Sequence, residues 1–239
     1  MRQIVTRLVS ESMVESPEAT EKMFESLSAD ALMYHQLYFP GRSPDLCSRL
    51  RLFSSRGLWM LTTYRLSAYY LRRRHLDKPL SPRLLPLAAL SWIGSFLTVV
   101  LCKSAVSASI DMDPGVYLSD HGYLILGPNI IGSGSMIHQR VTIGIGLKNR
   151  EKCCIGQNVW IGPDCILYGN ISVGDGSTLL PGTVLTKNIP AGTVVGGNPA
   201  RVIARNSDNS VLRRGTDTQV DVFLNQLAMG MKEKRHPDV

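Results

Sequence analysis

Between Ile155 and Gly197, apolar residues recur at a spacing of six: Ile155, Ile161, Leu167, Val173, Leu179 and Leu185. Four places after each lies a second small or β-branched residue: Val159, Cys165, Ile171, Ser177, Thr183 and Ile189. A period of six matches neither the 3.6 of a helix nor the alternation of a flat strand. It suits a chain that turns a corner every six residues and stacks short strands into a prism. Each lead residue then points inward, and the stack buries a core that no single hexad could bury. Gly156, Gly162 and Gly174 follow three of the leads, where a corner calls for unusual backbone angles. The phase continues upstream through Ile143, Ile137, Ile131 and Ile125, with Val141, Ser135 and Asn129 as second residues. Leu147 to Lys152 reads LKNREK, which cannot lead a core strand and predicts a loop thrown out from the prism. The register is lost again at Ser119–Tyr123, above which Ile110 and Val116 are six apart but offset by three. Eighteen residues per turn predict roughly five coils between 105 and 197.

The rest of the chain divides around that prism. The sequence predicts a helical region over 1–104, the prism over 105–204, and a polar tail over 205–239 in which Val222, Phe223, Gln226, Leu227 and Met229 can form one short helix. Ser16-Pro17-Glu18 and Ser28-Ala29-Asp30 resemble helix starts, Phe39 to Pro44 a turn, and residues 45–75 a helical pattern closed by Arg72-Arg73-Arg74-His75. Leu84 to Cys102 holds 19 residues without a charge. The expectation is a buried helix at the base of the prism; the alternatives are a helix lying in a membrane surface and a true span.

The net charge is +7. It is first a solvated basic surface, and second an attraction for phosphorylated cofactors or an anionic membrane. No zinc-finger spacing or aromatic-interleaved basic stripe points to nucleic acid. The five cysteines, Cys47, Cys102, Cys153, Cys154 and Cys165, include no CxxC pair. They predict free thiols and no metal site. No signal peptide is evident at the N-terminus, so the expectation is a cytoplasmic protein, peripheral to the inner membrane face if 84–102 meets lipid.

The hexads, the stretch Ile137-His138-Gln139-Arg140-Val141-Thr142-Ile143-Gly144, and the ending Val195-Gly196-Gly197-Asn198-Pro199-Ala200-Arg201 together resemble the hexapeptide-repeat acyltransferases. Within these the chain is similar to the serine O-acetyltransferase-like branch, to which Arg56-Gly57-Leu58-Trp59 also corresponds. The resemblance implies a mainly β fold, a left-handed parallel β-helix behind an α-helical N-terminal region. It further implies a homotrimer or dimer of trimers with sites between neighbouring subunits, and acetyl-CoA as the acyl donor.

Acetyl transfer from a thioester to an alcohol needs a base for the hydroxyl proton and donors for the oxyanion. Of the five histidines, His35, His75 and His236 are read as solvated or capping. His121 and His138 lie in the prism, 17 residues apart, so close to one coil that they are expected on adjacent coils near one edge. By the resemblance, Asp120-His121 matches the family's base and its orienting carboxylate, with Asp113 and Asp111 as other orienters. His121 falls two residues past the family's slot, which Ser119 holds; His138, beside Gln139, is then the other base or a substrate contact. Gly144, Gly162 and Gly182 are candidates for backbone contacts to the pantetheine arm, and Lys187 and Arg201 resemble the positions that meet the CoA phosphates. The second histidine of serine acetyltransferases is missing near Lys152, their upstream aspartate is replaced near Lys103, and their glycine loop is reduced to Gly144-Ile145-Gly146. The expected activity is therefore O-acetylation of a carbohydrate or other small hydroxyl acceptor. The alternatives are a serine O-acetyltransferase and a non-catalytic hexapeptide scaffold.

Overall fold

The structure, a computed structural model, describes residues 17–76, 85–144 and 153–214, together with Val222, Phe223 and Asn225. Helix α1 (Pro17–Tyr38) starts where Ser16-Pro17-Glu18 signals it. The second start signal, Ser28-Ala29-Asp30, lies inside α1, because Asp30 turns inward to bond the prism instead of capping a helix. The pattern over 45–75 is two helices, α2 (Leu46–Leu52) and α3 (Arg56–Leu76). A capping box starts α2: Asp45 Oδ1 accepts from the Ser48 N–H at 2.8 Å, and Ser48 Oγ accepts from the Asp45 N–H at 3.1 Å. His35 is buried, not solvated, and its Nε2 lies 3.2 Å from Ser48 Oγ. His75's side chain and His236 lie outside the described residues, as do Leu147–Lys152 and most of the proposed tail helix; Val222 and Phe223 are helical.

Helix α4 (Leu85–Cys102) corrects the expectation of a buried helix. Its buried residues are small: Ser91, Thr98 and Cys102. Leu90, Trp92, Phe96 and Val100 face outward. The reason is the surface it packs on. Helix α3 offers Thr63 and Ser67 at the contact, with Ser91 Oγ donating to Ser67 Oγ at 2.8 Å, so the two helices meet through small side chains.

The prism begins at Ala105. Its first coil is β1 (Ala105–Val106), β2 (Asp111–Met112) and β3 (Tyr117–Leu118); the second is β4 (Ile125–Leu126), β5 (Ile130–Ile131) and β6 (Met136–Ile137). The third is β7 (Thr142–Gly144), β8 (Cys154–Ile155) and β9 (Trp160–Ile161); the fourth is β10 (Ile166–Tyr168), β11 (Ser172–Val173) and β12 (Thr178–Leu179). The fifth is β13 (Val184–Leu185), a bridge from Ile189 to Val173, and β14 (Val194–Gly196). Corresponding strands pair in parallel and make three faces: A (β1, β4, β7, β10, β13), B (β2, β5, β8, β11) and C (β3, β6, β9, β12, β14). Strand β15 (Arg201–Ala204) doubles back antiparallel on β14 and ends the stack.

From Ile155 onward every predicted lead and second residue is buried. So are Ile143, Ile137 and Ile131, with Val141 and Ser135; above Ile131 the register differs. Ile125 points outward, 55% exposed, and Leu126 is the inward residue. Asn129 is exposed with it. The leads above are Val106, Met112 and Leu118, of which the latter two are fully buried, and Ile110 and Val116 are their second residues, not leads of another phase. An eight-residue step from Leu118 to Leu126 and a five-residue step from there to Ile131 shift the phase by one. Gly156 and Gly174 also have a different reason from the one expected. Neither has positive φ; a Cβ on Gly156 would lie 2.2 Å from Asp175 Oδ1, and one on Gly174 2.3 Å from the Ala191 nitrogen. The next coil is simply too close for a side chain.

The helices close the upper end of this stack. A first coil has backbone groups with no coil above them, and buried groups of that kind must find partners. Tyr34 OH donates to the Leu118 carbonyl and accepts from the Leu118 N–H at 3.0 Å. Tyr64 OH does the same between the Ile110 carbonyl, at 2.7 Å, and the Met112 N–H, at 3.2 Å. Arg65 donates to the carbonyls of Met112 and Asp113 and pairs with buried Asp30 at 3.0 Å, while Asp30 accepts from the Gly115 N–H at 2.8 Å. Burial pushes both tyrosine hydroxyls above their ordinary range, so they stay protonated and able to donate. Gly57 permits the approach: a Cβ there would sit 2.0 Å from the Leu118 oxygen. Gly57→Ala should therefore destabilise the chain by roughly 1–3 kcal/mol or more. Chemical denaturation checks this, and an unchanged midpoint would mean that α3 does not seat on the first coil as described.

Candidate active site

Three edges run down the prism, and the register decides which candidates share one. Leu118 faces Ile137, which faces Ile161. Carried three residues on, the same alignment stacks Arg140 over Asp164 on the C–A edge. In coil one the turn is two residues longer and Tyr123 takes that rung, as the Arg140 N–H donates to the Gly122 carbonyl and Ile125 faces Thr142, so His121 lies in the extra turn. Ser119, His138 and Gly162 stack beside them, at the ends of the face C strands. Coil one therefore sets Ser119, not His121, over His138: the advance from Tyr117 to Met136 is 19 residues, not 17. The two histidines share an edge but not a rung. Ser119 Oγ donates to Gln139 Oε1 at 3.3 Å.

His138 follows β6 directly and is half-buried. Its Nδ1 lies 3.0 Å from the Ile161 carbonyl. A carbonyl only accepts, so Nδ1 carries the proton and Nε2 keeps its lone pair. The ring lies between Trp160 and Tyr117, with centroids 4.7 and 6.1 Å away. Burial in this aromatic setting lowers the imidazole pKa below its ordinary 6.5, against a smaller push upward from the Ile161 carbonyl. At neutral pH it is an oriented, uncharged base with one free nitrogen, as proton abstraction from a hydroxyl requires.

His121 is exposed in the turn after β3. Its backbone N–H donates to Ser119 Oγ at 3.3 Å; among the described residues no hydrogen bond or ion pair reaches its ring. The implied pairing with Asp120 is corrected by Asp120's own partners. Its carboxylate accepts from Ser55 Oγ at 2.7 Å, the Gly57 N–H at 2.6 Å and Tyr38 OH at 2.5 Å. It thus binds the N-terminus of α3, where backbone N–H groups lack helical partners and favour an anion. Asp113 is corrected as well. It stands at the B–C edge, across face C from both histidines, and its Oδ2 accepts from the Ser133 N–H at 3.3 Å. Asp111 is on face B, paired with Arg72 at 3.1 Å.

The CoA candidates divide between edges. Gly162 and Gly182 lie on the C–A edge, with Gly182 in the left-handed conformation (φ 72°) shared by Arg140 and Asp164 above it. Gly162 cannot carry a side chain, since its Cβ would come 2.9 Å from the Leu179 oxygen and from the Trp160 ring. Arg201 is exposed on β15 opposite Gly196, at the foot of that edge. Gly144 and exposed Lys187 instead mark the A–B edge. Arg140 donates twice to Asp164, at 2.5 and 2.6 Å, an exposed pair below Tyr123. A groove of about 490 Å³ opens elsewhere, between α3, α4 and face A, lined by Tyr64, Thr98, Val99, Ile125, Leu126 and Gly144 among others. Its only titratable lining group is Tyr64, already bonded to the first coil. Among the described residues no group of three His, Cys, Asp or Glu can hold a metal. Burial pushes the Cys165 thiol up to about 11, which leaves it unreactive.

Tyr117 and Trp160 were missed by reading the sequence for acids, bases and glycines. The signal was there: each immediately precedes a lead residue, so each points outward on face C, in register through Met136 with the other.

The bacterial transferase hexapeptide (six repeats) family matches residues 153–187. Serine acetyltransferase 2 of Arabidopsis thaliana is 32% identical over 121 residues, 46% of this chain and 38% of that protein. The serine acetyltransferase of Synechococcus elongatus is 29% identical over 77% of this chain and 70% of its own length. The galactoside O-acetyltransferase of Escherichia coli is 33% identical over 36% of this chain and 42% of its own. This chain thus spans less than half the length of the first and third of these relatives. Among solved structures, serine acetyltransferase from Vibrio cholerae superposes with a TM-score of 0.65 at 22% identity, covering 85% of this chain and 72% of that one. The Brucella abortus enzyme in complex with Coenzyme A gives 0.63 at 20% identity, over 82% and 72%. The shared fold is the left-handed parallel β-helix with helices before it.

The tautomer and the burial of His138 make a spectroscopic prediction. Nitrogen-15 NMR should show a neutral Nδ1–H imidazole at pH 7 that titrates below 6.5, the ordinary histidine value. An Nε2–H tautomer would contradict the Ile161 contact.

Proposed function

We propose that this chain, a hexapeptide-repeat protein of the serine acetyltransferase-like branch, is an acetyl-CoA-dependent O-acetyltransferase that uses His138 as its base. The observation that carries the reading is the Nδ1–H to Ile161 bond, which leaves Nε2 free on a half-buried, uncharged ring. The acceptor oxygen attacks the thioester carbonyl as Nε2 takes its proton. The tetrahedral oxyanion then collapses, the carbon–sulfur bond breaks, and the CoA thiolate recovers the proton from the imidazolium. Tyr117 and Trp160 hold the ring and keep water from it. Ser119 and Gln139, bonded to each other beside it, offer polar contacts to the acceptor. Gly162 and Gly182, with Arg201 beyond them, line the C–A edge for the pantetheine arm and phosphates. Gly144 and Lys187 lie on a different edge and join such a site only from a neighbouring subunit, which fits a homotrimer with sites between chains.

The relatives favour a serine-like acceptor: the Arabidopsis and Synechococcus proteins and the solved neighbours are serine acetyltransferases. Serine O-acetylation is therefore the first activity to assay. A sugar hydroxyl is the second reading, favoured by the galactoside O-acetyltransferase relative and by the missing histidine near Lys152.

An acceptor series with acetyl-CoA, read by thiol release, tests this with L-serine first and galactosides next. His138→Ala should lower kcat by about 10²–10⁴-fold on whichever acceptor works. His121→Ala should stay within a few fold of the parent. Loss confined to His121→Ala would move the base to the exposed turn, and no release with any acceptor would favour the scaffold alternative.

A further inference from the structure

Helix α4 is built inside out for a helix in water. It has a mean hydropathy of 2.0 over 18 residues, and 17% of it is buried. What it turns toward the protein is small: Ser91 bonds Ser67, and Gly94 lies against Thr63, where an added Cβ would come within 3.0 Å. What it turns outward is large. Trp92 is 71% exposed and stacks on Phe96 with planes 16° apart, and Ile93 and Val100 continue that face. Helices in lipid pack in this sense, with small and hydroxyl side chains at the contact and bulk facing outward.

The surroundings supply a matching charge. Between Arg56 and Lys103 the chain carries eight Lys and Arg against the single acid Asp77. Because Ser67 meets Ser91 and Thr63 meets Gly94, α3 and α4 run antiparallel, and exposed Arg74, with Arg72 in its pair with Asp111, stands at the start of α4. Lys103 ends it, 5.4 Å from the centre of the exposed Tyr123 ring. The apolar face is thus rimmed by cations at both ends. A second copy docked on this face would bring like charges together, whereas anionic lipid headgroups complement them.

We propose that α4 docks the protein flat on an anionic lipid bilayer, with Trp92 and Phe96 entering the acyl boundary and the flanking Arg and Lys on the headgroups. It does not span. Helix α3 covers one side of it, and β1 begins three residues after its end.

The full chain should float with vesicles of phosphatidylcholine doped with phosphatidylglycerol, more weakly with phosphatidylcholine alone, and less as salt rises. The double variant Trp92→Glu, Phe96→Glu should lose at least roughly tenfold in partition, since it removes two apolar anchors and adds two charges that anionic lipid repels. Because both side chains are exposed, the variant's circular dichroism and thermal midpoint should match the parent's. Failure of the parent to float, or flotation of the variant equal to the parent's, overturns the proposal. So does a fall in the variant's light-scattering mass, which would make the face a contact between copies.

Discussion

Stacked coils leave an end, and the backbone groups at that end must be bonded or wetted. Here the upper end of the prism is closed by side chains. Two tyrosine hydroxyls each stand in for the N–H and C=O of a missing strand, at Leu118 and across Ile110 and Met112. One arginine, neutralised by Asp30, covers two further carbonyls. Removing either charge would strand the other in the interior, at a cost of about 3–5 kcal/mol. Prism and helices are therefore one cooperative unit, and the placement of everything on the upper coils follows from this closure.

The clearest consequence concerns Asp120. The helix that delivers Tyr64 and Arg65 also needs its own N-terminus satisfied, and Asp120 is the carboxylate that reaches it. An aspartate beside a histidine in sequence has thus been spent on anchoring a helix. In the proposed site, the His138 ring is oriented instead by a backbone carbonyl one coil below it. Burial between the aromatic walls keeps the imidazole neutral without a counter-charge, against a smaller opposite push from that carbonyl.

The fold was legible because burial and period are the same fact in a prism. From Ile155 to Ile189 each sixth residue must fill the core, and each does. The upper coils were less legible. The extra residues around Ser119–Tyr123 move the phase by one, and no local pattern distinguishes inward Leu126 from outward Ile125; only the strand register does. The resemblance matched Asp120-His121 to a base and its orienter, but Asp120 is bonded to Ser55, Gly57 and Tyr38 instead. Helix α4 was misread for a related reason: hydropathy tells that a helix is apolar, not which side its neighbours leave open. His138 was visible as a candidate, but its tautomer depends on Ile161, 23 residues away, and on an edge geometry that spacing alone does not give.

The most direct test is the pH dependence of kcat/KM for acetyl transfer, which reports the pKa of the free enzyme's essential base. A depressed pKa means that the base is still unprotonated at pH values where an ordinary histidine has begun to take up its proton. The account predicts a plateau through neutrality and an acidic limb centred below 6.5. A limb centred above that value, or no acidic limb, would contradict the assignment of His138 and with it the reading of the C–A edge as the catalytic one.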